Sequence, residues 1–413
     1  MKIFGHAGFR ALVVGQTISS LGDWMMTVAL MVLVLRLSDS STAVAGVLVL
    51  RLLPAVVGGS LAARLMRRWD RRKTMLTMDL VRAGMVMLVP LVRAVWWVYL
   101  WAFLLEVLGL VFLPARDASV PDLVDNQDLP TANGIVLTSS FGTIPFGAGA
   151  FAATAALSSA GGRFPFLAVF VVDSVTYLVS FSFIRRLPAL RDEREPKVFD
   201  GTTEDSLSLR AAFRIPLVRA VMPATIVIAL GLGTLFSIGI VFVRDVLHAS
   251  DAEFGVLIVL FGVGAGLGLA VLSRLAKVPG LMKVRWGVAA QGITIAVMSL
   301  SPSIVPAFLG ATGFGAATAL TLAAGMSTLQ DHLEGHERDL AFAAFHSTIR
   351  GGLALAALGA GGAVDLVGAV RLPGDTRVTP SRFVLLCAGI VVVLGSLSVR
   401  LDRKASDVRL GPG

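Results

Sequence analysis

Apolar runs of membrane length recur along this chain, each closed by charged residues, proline or glycine. A helix rises ~1.5 Å per residue, so about 20 apolar residues cross the ~30 Å hydrocarbon layer. The runs fall at approximately 10–36, 41–64, 74–92, 95–113, 131–158, 164–184, 217–243, 252–273, 284–300, 303–328, 339–367 and 381–400. In lipid, a backbone can satisfy its own hydrogen bonds only as a helix or a closed barrel. Continuous runs of this length predict helices. The chain therefore reads as an all-α membrane protein with twelve transmembrane helices. Its 55% hydrophobic and 15% charged residues agree, since soluble domains carry about 25% charged.

The net charge of +9 raises nucleic acid as a partner. The distribution of charge argues otherwise. Basic residues gather in short loops on alternate sides: Arg64, Arg67, Arg68, Arg71, Arg72 and Lys73 in one, Arg185, Arg186, Arg191, Arg194 and Lys197 in another, and Arg274, Lys277 and Lys283 in a third. The intervening loops hold far fewer, such as Arg36, Arg93, Arg163 and Arg244. This positive-inside pattern puts both termini in the cytoplasm and predicts a multi-pass protein of a bacterial cytoplasmic membrane, with the lipid bilayer as partner and no nucleic acid. Trp96, Trp97, Tyr99 and Trp101 then fall at the outer end of the fourth span, where an interfacial aromatic belt belongs.

The longest cytoplasmic loop, 185–216, is dense in charge (RRLPALRDEREPK). It divides the chain into an N-terminal six-helix bundle (1–184), a linker, and a C-terminal six-helix bundle with a short cytoplasmic tail (217–413). Basic loops follow both the second span (RLMRRWDRRK) and the eighth (SRLAKVPGLMKVR), a faint internal echo. Two pseudosymmetric halves with a site at mid-depth are a transporter's design.

Five charged residues interrupt the apolar runs near their middles: Asp23, Arg51, Glu106, Asp173 and Arg350. Asp23 lies 13 residues from both Arg10 and Arg36, close to a bilayer midplane. Leaving such a group in lipid costs roughly 2.5–3.5 kcal/mol, so these side chains are expected to face a polar interior. There they bind, pair or carry protons. Other chemistries lack a motif. Cys387 is the single cysteine, and no G-x-x-x-x-G-K-[ST] or nucleophile motif occurs. His332 and His336 sit beside Asp331, Glu334 and Glu337 in a short loop, which reads as a solvated charge cluster. No enzyme activity, metal or cofactor is expected.

In order and spacing, FRALVVGQTISSLGDW, WDRRKTMLTMDLVRA, FLPARDASVPDLVDNQDLPTAN, VFVRDVLHASDAEFGVLIVLFGVGAGLG and TLQDHLEGHERD resemble the major facilitator superfamily. Within it, they resemble the bacterial exporters that include macrolide-efflux and enterobactin-export proteins. The likeness implies the major facilitator fold and alternating access. It also implies a gating role for Asp70, Arg71 and Arg72 after the second span, and an antiporter-like motif in Gly142, Pro145, Gly147 and Gly149. The chain departs from the pattern at Ala63 and Arg67, which stand where a Gly and an Asp are expected before the basic run. Ile144 replaces a glycine before Pro145, and Asp339-Leu340 replaces Gly-Arg after Arg338.

Asp23 and Glu106 lie on spans that line the central cavity of that fold, so proton coupling or cation recognition is assigned to them. Arg51 is placed to pair with Asp23, and Arg350 to pair with an acid or attract an anionic group of the substrate. Asp79 and Arg82, three apart on one helix face, are expected to anchor the basic loop. Asp173 reads as a structural hydrogen-bonding group, and His346 as a packing residue. The function expected is proton-coupled export, by a monomer, of an amphipathic small molecule such as a drug, antibiotic or siderophore. A lipid or lysolipid flippase, an uncoupled facilitator, and a non-transporting receptor or assembly protein stay open as alternatives.

Overall fold

The computed structural model describes residues 2–57, 70–125, 128–157, 166–188, 209–275, 277–333, 335–367, 370–371 and 377–399. The apolar runs become helices: α1 (Ala7–Ser38), α2 (Ser41–Val57), α3 (Arg71–Val86), α4 (Val95–Leu123), α5 (Leu129–Phe141), α6 (Ile144–Leu157) and α7 (Leu167–Ile184). After a single turn, α8 (Leu209–Ala212), come α9 (Pro216–Asp245), α10 (Asp251–Arg274), α11 (Gly280–Ser299), α12 (Ile304–His332), α13 (Gly335–Leu366) and α14 (Pro380–Gly395). The sole strand pairing among the described residues sets Val370 against Val378. Ala63, Arg67 and most of the charged linker lie outside the described residues.

Among the described residues nine helical segments are long and apolar enough to cross a membrane. Helices also occupy the other expected positions, in different form. The described part of α2 has 17 residues, Lys283, Arg285 and Gln291 dilute α11, and the run at 131–158 is split. That split corrects the expected continuous span. Pro145 has no N–H to donate to the carbonyl of Phe141, and its ring crowds that carbonyl. The helix therefore ends at Phe141, turns through Gly142-Thr143, and restarts at Ile144 with proline in its first turn, where no donor is needed. Gly147 N–H donates to Thr143 O at 2.9 Å, closing the new helix.

Two compact units emerge: 1–198 with 250–259, and 199–249 with 260–413. In the first, α1 packs along α7 and α6, and α3 packs on α7 and α4. One end is closed by a cluster that includes Phe9, Leu12, Met75, Phe112, Val120 and Ile184. The first turns of α10 belong to this unit, where Asp251 pairs with Arg36. In the second unit α9 packs on α13, and α11 on α12 and α14. The glycines of α10 permit close helix contact there. A Cβ on Gly264 or Gly268 would collide with the carbonyls of Thr312 or Ala316 on α12. Outer faces remain apolar, as at Leu157, Leu309 and Leu355, which suits hydrocarbon rather than water.

Candidate functional site

The polar residues of the first unit converge because three helices present them at helical spacing. On α7, Asp173, Thr176, Tyr177 and Ser180 recur every three or four residues and share one buried face. Opposite them, α1 offers Gly15 and Gly22, two turns apart. A Cβ on Gly15 would lie 3.2 Å from Phe183 Cβ. A Cβ on Gly22 would collide with Asp173 Oδ1 and Thr176 Oγ1. The two glycines let α1 approach α7 until the Asp23 carboxylate meets Tyr177, whose hydroxyl donates to Asp23 Oδ1. On α3, Asp79 and Arg82 occupy the buried face, and Ser174 Oγ of α7 donates to Ala83 O at 2.8 Å.

Arg82 is gripped from three sides. Its Nη2 donates to Asp79 Oδ1 at 2.7 Å. Its guanidinium lies 4.5 Å from the ring centroids of both Phe112 on α4 and Tyr177 on α7. Cation–π contact favours a planar guanidinium in such a slot. The pair is sealed, with side-chain exposures of 6% and 0%. These two residues were expected to anchor the basic loop. They instead lie inside the bundle, because their helix face continues the buried stripe of Met75, Met78 and Val86. The loop side of α3 is held by other groups. Asp70 Oδ1 caps the helix by accepting from Lys73 N at 2.7 Å. Arg71 pairs with Asp122 at 3.0 Å, and Arg72 donates to Arg185 O.

Arg51 does not pair with Asp23 as expected. Its Nη2 lies 3.4 Å from Glu106 Oε2 on α4, and its Nη1 donates to Thr27 Oγ1 on α1. Thr27 in turn donates to Asp23 O at 2.6 Å. The longer Glu106 side chain reaches the guanidinium, while the Asp23 carboxylate is turned toward Tyr177. Arg51 and Glu106 keep side-chain exposures of 21% and 26%, so a solute or proton can reach them. Two polar groups thus adjoin Asp23. One is open (Arg51, Glu106) and is joined to α1 through the buried Thr27, and the other is sealed (Tyr177, Arg82, Asp79, Asp173).

The antiporter-like motif sits against this same stretch of α1. A Cβ on Gly147 would fall 2.7 Å from Leu21 O and 2.9 Å from Met25 N, bracketing Asp23. Trp24 Nε1 donates to Ser140 O at 2.9 Å, tying α1 to the break that Gly142 and Pro145 create. Gly149 is less confined, with Val259 Cγ2 3.3 Å from its Cβ position. Between α1 and the broken helix lies a cleft of about 680 Å³, lined by Val13, Thr17, Leu21, Ile135, Thr143 and Phe146. Apolar walls carrying a few hydroxyls suit a small organic molecule.

Arg350 lies elsewhere. It is exposed on α13 in the second unit, one turn from exposed His346. His332 Nδ1 sits 2.9 Å from Thr328 O. Tyr177, Thr27 and Gly22 were not singled out by the sequence. Thr27 and Tyr177 each lie four residues beyond a flagged aspartate, which is the signal that points to them.

These features fit a known family. The profile of the Major Facilitator Superfamily matches residues 12–277, more than half of the chain. The chain belongs to the Major Facilitator Superfamily. An uncharacterized MFS-type transporter of Bacillus subtilis (strain 168), YjbB, is 25% identical over 291 residues, covering 67% of this chain and 68% of the relative. The solved structure of the nucleoside transporter NupG superposes with a TM-score of 0.77 at 12% identity, covering 95% of this chain and 98% of that one. A bacterial homolog of the human lysosomal transporter Spinster, inward-facing and unoccupied, gives 0.74 at 15% identity with 98% of both chains covered. Identities this low establish the shared MFS fold and no more. Membership makes this chain a multi-pass membrane transporter with a small-molecule substrate, and points away from an enzyme.

Proposed function

We propose that this transporter exports an amphipathic small molecule, such as a drug, antibiotic or siderophore, in exchange for protons. It would work by alternating access of two pseudosymmetric six-helix bundles in the bacterial cytoplasmic membrane, as a monomer with both termini cytoplasmic. The observation that carries this reading is the accessible Arg51–Glu106 pair, joined through Thr27 to the turn of α1 that bears Asp23. The Glu106 carboxylate is partly exposed beside the Arg51 guanidinium, so a proton and a cationic group can both reach it. Protonating Glu106 removes the counter-charge of Arg51, which then seeks another acceptor. The cationic group of a substrate, competing for the same carboxylate, drives the proton off. The cleft beside α1 supplies the apolar wall such a molecule requires. One proton exchanged for one monocation moves no net charge and is driven by the pH gradient, whereas each net charge carried adds ~2.3 kcal/mol per 100 mV of membrane potential.

Everted membrane vesicles test the direction and the coupling together. With an acid-inside gradient imposed, wild type is expected to concentrate a fluorescent amphipathic cation, and Glu106→Gln to lose that gradient dependence. Equal uptake with and without the gradient would indicate an uncoupled facilitator. Movement of a labelled lysolipid alone would indicate a flippase.

A further inference from the structure

We propose that Asp173 is a proton-binding site, and that the transported proton passes between Asp173 and Asp23. This deepens the proton-coupled reading and rests on it. Asp173 is fully buried on α7, and its Oδ2 has no hydrogen-bond partner. Its Oδ1 receives only a long 3.4 Å contact from Thr176 Oγ1. A buried carboxylate that is ionised and so poorly bonded is costly, whereas the neutral acid is tolerated.

The surrounding charges sharpen the point. Asp23 acts on Asp173 from α1, Arg82 from α3 and Arg51 from α2, and Asp79 joins the cluster through Arg82 and Asp23. Tyr177, one turn along α7, donates to Asp23. With Glu106, the cluster holds Asp23, Asp79, Glu106 and Asp173 against the guanidiniums of Arg51 and Arg82. Each arginine already has a carboxylate: Glu106 for Arg51 and Asp79 for Arg82. Asp23 and Asp173 are the surplus acids, and a proton held between them lowers that surplus. Gly22 brings them together, because its missing Cβ is what lets Asp173 Oδ1 lie against the α1 backbone beside Asp23. The step is a simple transfer. The Asp173 carboxyl gives its proton to the Asp23 carboxylate, leaving Asp173 ionised and Asp23 neutral. Asp23 is partly accessible and passes the proton onward. Tyr177, bonded to Asp23 and stacked on Arg82, would report the change to α3 and α4.

Infrared difference spectroscopy of the purified full chain, titrated from acid to alkaline pH, reads the proton directly. Wild type is expected to show a carbonyl band of a protonated carboxyl that Asp173→Asn loses and Glu106→Gln retains. Persistence of every such band in Asp173→Asn would overturn the proposal. Gly22→Ala serves as a second variant if the first does not fold. Its Cβ presses on Asp173 Oδ1, so the band is expected to shift, and an unmoved band counts against the site. Substrate-driven proton flux in proteoliposomes separates this proposal from the broader one. Flux with an unchanged pH profile in Asp173→Asn would sink the Asp173 assignment while leaving coupling intact. A band lost in Asp173→Asn, beside a wild type that moves no protons, would uphold Asp173 as a proton-binding site and overturn the passage of a transported proton to Asp23.

Discussion

Arg82 shows what a single side chain does in this bundle. Two aromatic faces and one carboxylate hold it, and each contact has a separable energy. Asp79→Ala would leave a buried guanidinium without its hydrogen-bonded carboxylate, at a cost of about 3–5 kcal/mol. Arg82→Lys keeps the charge but loses the planar stack, at roughly 2 kcal/mol. Tyr177→Phe keeps the ring and removes only the hydrogen bond to Asp23, at about 0.5–1.5 kcal/mol. Thermal unfolding in detergent should rank the three in that order, and a Tyr177→Phe midpoint below that of Asp79→Ala would contradict the geometry. Charges inside apolar runs were legible in the sequence, so Asp23, Arg51, Glu106 and Asp173 stood out. Their partners did not, because partnership is decided by helix packing. Tyr177 and Asp23 lie 154 residues apart, and Arg51 bonds Glu106 rather than Asp23 because of side-chain reach and direction.

Helices carry the next level of control. The break between α5 and α6 was invisible to hydropathy, since the run stays apolar through Gly142 and Pro145. Only the donor-less proline marks it. The break directs Gly147 at the α1 backbone around Asp23, so Gly147→Leu should wedge α6 away from α1. Transport is expected to fall at least tenfold, with helical content measured by circular dichroism unchanged. Wild-type transport in that variant would remove the motif from the mechanism. The glycines of α10 make a parallel case in the second unit. Gly264→Leu and Gly268→Leu each collide with a carbonyl of α12 and should lower the unfolding midpoint, whereas Gly266→Ala, which meets no neighbour within 4 Å, should not. Gly264 and Gly268 lie one turn apart, the spacing at which small residues let two helix backbones approach.

At the scale of the whole molecule, the membrane class and the family follow from apolar run length and the order of short motifs. The number of spans is less directly read, since charge in α11 and the split helix weaken two of the runs. Loop charge gives the proposed orientation, and Cys387 makes it easy to test. In a Cys387→Ser background, single cysteines at Asp39 and His248 should react with an impermeant maleimide in intact cells, while Asp122 and Lys277 should be protected. The reverse pattern would invert the topology. Function depends most directly on proton movement. Purified protein in proteoliposomes containing a pH-sensitive dye would be challenged with amphipathic cations, macrolides and siderophores, wild type beside Asp23→Asn. Proton flux triggered by one compound class and lost in Asp23→Asn is the expected result. Substrate movement without any proton flux, or equal flux in both proteins, would contradict coupling through the Asp23 cluster.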